Sequence, residues 1–168
     1  MLAPPGGGKG TQGARLAEHL GVEHISSGDL LRAAVAADTP FGRKVDTYLQ
    51  AGRLAPDELV TDAVRPILAG RDAFVLDGFP RRIAQAEGVD FDAVVYLDVP
   101  FAVVTERLLG RGRADDTLDV IERRLREYTE DTQPLVDLYE RQGVLLRIDG
   151  DRPEDEIAAE LREKLGDH

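Results

Sequence analysis

The chain has no cysteine and no tryptophan, a single methionine, and aromatics at only 5% of its 168 residues. The lack of cysteine excludes disulfides, thiol nucleophiles and thiolate-bound zinc. Histidine is scarce too. His19, His24 and His168 have no metal-ligand spacing, so each reads as a surface or terminal residue. No stretch approaches the roughly 20 apolar residues of a membrane-spanning helix, and Met1 leads almost directly into a glycine-rich segment rather than a signal peptide. These absences predict a cytoplasmic location with no membrane partner. Lysine is confined to Lys9, Lys44 and Lys164, so arginine supplies the rest of the 21 basic residues.

A chain of this length predicts one compact domain with room for a small insertion. The net charge of -11 makes a nucleic-acid polyanion a poor partner for the surface as a whole. An anionic ligand must instead find a local group of arginines, whose planar forks suit bidentate phosphate recognition.

Residues Ala3-Pro4-Pro5-Gly6-Gly7-Gly8-Lys9-Gly10-Thr11 have the chemistry of a phosphate-binding loop. Consecutive small residues let backbone N–H groups surround phosphate oxygens, the helix that follows presents its positive end, and Lys9 supplies a mobile cation. The fit to G-x-x-x-x-G-K-[ST] is imperfect. Ala3 stands at the first glycine and Gly10 delays the hydroxyl to Thr11, so a strained loop entry at Ala3 is expected.

Helical spacing over Thr11–Leu20 ends at Gly21, and His24-Ile25-Ser26 reads as a short strand. Ser27 or Asp29 is the expected cap of a helix from about Leu30. Residues 30–69 are helical with breaks at Asp38-Thr39-Pro40 and Ala51-Gly52, and Pro56-Asp57 opens the last segment. Ala73–Leu76, Ala93–Leu97 and Val144–Ile148 are apolar runs ending at Asp77-Gly78, Asp98-Val99 and Asp149-Gly150, as buried parallel strands would. Helical patterns at Ala102–Leu109, Leu118–Leu138 (continuing to Gln142) and Glu154–Leu165 alternate with them. This alternation predicts an α/β fold with an open parallel sheet, helices on both faces and ligands beyond the strand C-termini.

Four segments together resemble the adenylate kinase family: Gly6 to Gln12, Ile25-Ser26-Ser27-Gly28-Asp29-Leu30-Leu31-Arg32, Leu76-Asp77-Gly78-Phe79-Pro80-Arg81 with Gln85, and Gly110-Arg111-Gly112-Arg113-Ala114-Asp115-Asp116. The resemblance implies a P-loop nucleoside triphosphate hydrolase-like fold with a helical AMP-binding insertion at 26–55 and a short lid at 110–116. It implies a monomeric enzyme converting MgATP and AMP reversibly into two ADP, with ATP and Mg2+ as cofactors. Gly6, Gly7, Gly8, Lys9, Gly10 and Thr11 would hold the donor phosphates, and Arg107 and Arg111 would flank ATP, with Arg152 near its base. Ser27, Arg32, Arg53, Leu54, Ala55, Gly78, Phe79, Pro80, Arg81 and Gln85 match the acceptor site. Lys9, Arg81, Arg113 and Arg124 would neutralise the migrating phosphoryl group, and Thr11 and Asp77 would serve magnesium. Asp115 and Asp116 read as a hinge and a helix cap.

No general base is needed when nucleophile and leaving group are both phosphates. Two departures stand out: the strand before the loop is reduced to a stub, and only five residues separate Gln85 from Phe91. A missing central strand is expected to leave neighbouring backbone groups unpaired. The start is then either incomplete or trimmed. Three other readings stay open: a UMP or CMP kinase, a nucleotide-binding relative with impaired catalysis and, more weakly supported, a nucleotide-hydrolysing switch.

Overall fold

The computed structural model describes residues 1–114 and 116–166. Helix α1 (Lys9–Leu20) is followed by β1 (Glu23–Ser26), α2 (Ser27–Ala36), α3 (Pro40–Gln50) and α4 (Asp57–Leu68). Then come β2 (Phe74–Asp77), the single turn α5 (Ile83–Ala86), β3 (Val94–Asp98) and α6 (Phe101–Arg111). Helix α7 (Leu118–Glu127), a π-helical turn (Tyr128–Thr132), α8 (Gln133–Arg141), β4 (Leu145–Asp149) and α9 (Glu154–Leu165) complete the order.

Strands β1 and β2 pair in parallel, as do β3 and β4. The stub before the loop lies between the two pairs. Leu2 N donates to Val95 O at 2.7 Å, Leu97 N donates to Leu2 O at 2.9 Å, and Met1 N donates to Leu76 O at 2.8 Å. Two residues thus do part of a central strand's work, and the backbone groups of Leu76, Val95 and Leu97 that face them are satisfied.

Strand side chains alternate between faces, and the core divides accordingly. Val75, Val95, Leu97 and Ile148 pack with Leu16 and Ala17 of α1 and Ile157 and Leu161 of α9. On the opposite face, Val94 and Tyr96 pack with Tyr128, Leu135, Val136 and Tyr139, while Ile25 and Leu76 pack with Val60 and Val64 of α4. Helices cover both faces, as predicted.

Local chemistry explains most boundaries. Gly21 takes a left-handed conformation, and its N–H closes α1. The Thr39 hydroxyl accepts from Gly42 N at 2.8 Å and Pro40 opens α3. The cap of α2 is Ser26, whose hydroxyl accepts from Asp29 N at 3.3 Å, one residue before the expected position. The helix predicted as continuous from Leu118 is interrupted. Pro134 has no N–H to donate and its ring crowds the preceding turn, and the turn just before it widens to π geometry.

Helices α2 and α3 meet where a Cβ on Gly42 would fall 2.1 Å from Ala34 O. Backbone cannot yield there cheaply, so Gly42→Ala is expected to lower the unfolding free energy by about 1–3 kcal/mol, read as an earlier urea midpoint.

Candidate active site

The C-terminal ends of the strands and the N-terminus of α1 open onto one cleft of about 820 Å3. The glycine loop forms its floor. Gly6 and Gly8 have φ of 76° and 91°, conformations that side chains resist. Contacts fix the loop as well. A Cβ on Gly6 would lie 2.7 Å from Leu108 Cγ of α6, and one on Gly7 would lie 2.7 Å from Ala3 Cβ. Ala3 does not have a positive φ, so the expected strain at the loop entry is absent. Its methyl is buried in the core against α1, and Gly7 makes room for it.

Lys9, Gly10 and Thr11 start α1 and line the cleft together with Gly6, Gly7 and Gly8. The Lys9 amine is lowered to about 7, first by burial and then by the charge of Arg81, against an upward pull from Asp77. Arg81 is lowered to about 10 by burial, with Asp77 opposing and Arg124 reinforcing, and it stays protonated at neutral pH. Its backbone is tightly held: Arg81 N donates to Gln85 Oε1 at 2.7 Å, and Thr132 Oγ1 of the π-helical turn donates to Arg81 O at 2.7 Å. Arg81 Nε donates to Gly78 O at 2.9 Å.

Arg107 and Arg111 lie one turn apart on α6, and both face the cleft. Arg107 donates to Gly150 O at 3.1 Å. Arg111 grips Asp116 with two hydrogen bonds, 2.6 and 2.8 Å, and Arg124 reaches the same carboxylate at 3.0 Å. Asp116 is therefore not the helix cap. Thr117 caps α7, accepting from Val120 N at 3.4 Å, and Asp116 binds two arginines instead. Burial raises the Asp116 carboxyl, but Arg111 and the charges of Arg124 and Arg113 hold it below the usual range. Asp115 lies outside the described residues.

Arg32, Arg53, Leu54, Asp77, Gly78, Pro80, Arg113 and Arg152 also line the cleft. Arg32 pairs with Asp29 at 2.5 Å, and Arg152 is held by Glu160. Four predicted residues are not among those lining it. Ser27, Ala55, Phe79 and Gln85 are buried behind its wall. The Gln85 amide is engaged at both ends, accepting from Arg81 N and donating to Asp57 Oδ1 at 3.0 Å.

Sequence reasoning missed four contributors. His24 lines the cleft and donates from Nε2 to Asp77 Oδ2 at 2.5 Å. Its position on the strand before Ser26 was the available signal. Glu127 Oε2 accepts from Leu54 N at 2.6 Å. Thr132 and Asp116 complete the set; no local pattern marks contacts as remote as those of Glu127 and Thr132, and Asp116 reads locally as a cap.

The arrangement is a strongly cationic pocket at a helix N-terminus, which suits polyphosphates. A family model described as adenylate kinase matches residues 1–144. The chain belongs to the adenylate kinase family. It is 48% identical to adenylate kinase 1 of Nostoc sp., over 99% of this chain and 97% of that relative. It is 44% identical to the adenylate kinase of Thermus thermophilus, covering 99% and 95%, and 43% identical to that of Stenotrophomonas maltophilia, covering 96% and 95%. The parallel sheet and glycine loop are those of this family's P-loop fold. No helix among the described residues is long and apolar enough to cross a membrane.

The lowered Lys9 amine gives a binding test. An amine near 7 is mostly neutral at pH 8, and a bound polyphosphate favours its charged form. ATP binding at pH 8 is expected to take up about one proton, read from titration calorimetry in buffers of different ionisation enthalpy. Lys9→Met should abolish most of that uptake.

Proposed function

We propose that this adenylate-kinase-family phosphotransferase moves the terminal phosphoryl group of ATP to AMP, giving two ADP. The observation that carries the reading is the convergence of Lys9, Arg32, Arg81, Arg107, Arg111, Arg113 and Arg124 on one cleft. That many cations around one cavity suit two nucleotides whose phosphates meet. The glycine loop, Arg107, Arg111 and Arg152 take the donor. Arg32, Arg53, Leu54 and the Gly78–Arg81 segment take the acceptor, with the insertion 26–55 closing over it.

Phosphoryl transfer requires alignment and charge neutralisation more than covalent help. Lys9 meets the donor's outer phosphates. Arg81, Arg113 and Arg124 stabilise the equatorial oxygens as charge develops. The short lid at 110–116 brings Arg111 and Arg113 down and excludes water, which would otherwise intercept the phosphoryl group.

The donor set fits magnesium. Among the described residues no three His, Asp or Glu side chains cluster as ligands, so an all-protein cage is missing. Asp77 and Thr11 instead supply isolated oxygens along the cleft, as suits an ion that keeps its waters and arrives with phosphates. The ion would neutralise charge on the donor's oxygens. We further propose that the enzyme acts as a monomer in the cytoplasm.

With Gln85 engaged by Arg81 and Asp57, base reading at the acceptor end falls to the wall around Leu54, Gly78 and Pro80 unless the amide turns. A coupled assay of ADP formation with AMP, UMP and CMP tests the reading. AMP is expected to be the best acceptor; faster turnover of UMP or CMP, or none with AMP, would overturn it. Arg81→Ala should lower kcat about a hundredfold or more while ATP affinity changes little.

A further inference from the structure

The residue in contact with Asp77 is His24, and nothing in the proposed chemistry requires it. Asp77 ends β2 opposite Ser26 of β1, and its side chain is 5% exposed. Its Oδ2 is taken by His24 Nε2 at 2.5 Å. Among the described residues no hydrogen-bond donor reaches Oδ1, and Asp77 lines the same cleft as Lys9 and Thr11.

Helix α1 makes room for this contact. A Cβ on Gly13 would fall 2.9 Å from His24 Nε2 and 3.6 Å from Asp77 Oδ2, so only glycine lets the helix pass over the pair. The half-buried imidazole thereby packs against α1 at the edge of the cleft, with one ring nitrogen on the carboxylate.

Asp77 has competing partners. Its charge acts on both Lys9 and Arg81, the cations assigned to phosphate. A carboxylate free to turn would pair with one of them and neutralise it. A hydrogen bond from His24 removes that option by fixing the rotamer, with Oδ2 held and Oδ1 left open.

We infer that His24 is a positioning residue, holding the Asp77 carboxylate toward the waters of the nucleotide-bound metal and away from Lys9. This rests on the phosphotransferase reading above. The bond needs a hydrogen on Nε2, with the carboxylate oxygen accepting. Partners one shell behind a metal site commonly tune affinity in this way.

The test uses the full chain with Mn2+ as probe. Binding of ATP is measured with and without Mn2+ by titration calorimetry, and Mn2+ in the protein–ATP complex is followed by electron paramagnetic resonance. His24→Leu, which keeps bulk and removes the donor, is expected to reduce the metal-dependent gain in ATP affinity about tenfold, with metal-free ATP binding little changed. His24→Gln, whose amide nitrogen reaches a similar place, should restore the gain to within about twofold.

An unchanged gain in His24→Leu overturns the inference, as does His24→Gln falling as far as His24→Leu. Should His24→Leu not fold, 15N spectra of the wild-type imidazole at neutral pH decide. A protonated Nε2 that broadens on adding Mn2+ and ATP supports the assignment, and a bare Nε2 refutes it. A protein that shows the metal-dependent gain yet forms no ADP would refute the kinase reading alone.

Discussion

The structure depends on keeping many positive charges close together around a cavity that must remain open. Like charges in a partly buried cleft repel strongly, because low-dielectric surroundings screen them poorly. Burial is the main cause of the fall of Lys9 to about 7 and of Arg81 to about 10, and the neighbouring arginine charges add to it. Counter-charges are therefore needed, but a carboxylate inside the cleft would block the phosphate positions. The solution is to set the carboxylates in the wall. Asp116 holds Arg111 and Arg124 from behind, with a side chain only 1% exposed. Glu160 steadies Arg152 from the wall, whereas Asp29, which pairs with Arg32, is exposed and lines the cleft itself. Each arginine is oriented by one edge of its guanidinium, and the planar fork leaves further donors for a ligand.

Much of this was legible in the sequence because the informative signals were local. The Gly6–Thr11 loop, the Gly21 stop and the apolar strands ending in Asp77, Asp98 and Asp149 each have a short-range cause. Helix α1 begins two residues earlier than its apolar pattern because the loop glycines let Lys9 and Gly10 join the first turn. The helix read as continuous across 118–138 keeps its helical direction but widens at Tyr128–Thr132, and no hydrophobic periodicity detects a one-residue widening. That turn brings Thr132 to the Arg81 carbonyl, so the missed detail shapes the wall of the cleft.

What the sequence concealed were side chains whose partners no local pattern assigns. Asp116 stands beside a helix start, where an aspartate ordinarily caps, and Arg111 and Arg124, five and eight residues away, give it another task. Gln85 offers donor and acceptor groups that suit a base edge, yet Asp57, 28 residues away, takes its amide. Asp57 also holds Arg82 at 3.1 Å, and Arg82 reaches Asp131 at 3.4 Å. This chain of polar contacts ties the start of α4 to α5 and to the π-helical turn. It fixes the wall behind the acceptor end as one unit, and Gln85 transmits that rigidity to the Arg81 backbone.

Met1 and Leu2 lie between the two strand pairs, and side chains span the same gap. Leu2 supplies a single parallel bridge to Tyr96, so ladder hydrogen bonds alone do not unite the two strand pairs. Val75 belongs to one pair and Val95, Leu97 and Ile148 to the other, yet all pack under the same layer formed by α1 and α9. Apolar burial of this kind is non-directional and adds to the hydrogen bonds that Met1 and Leu2 make to the flanking strands. The loop inherits its footing from the same layer, since Ala3 is buried there while Gly6 abuts Leu108 of α6. Phosphate binding at the start of α1 is thus anchored by packing on two sides.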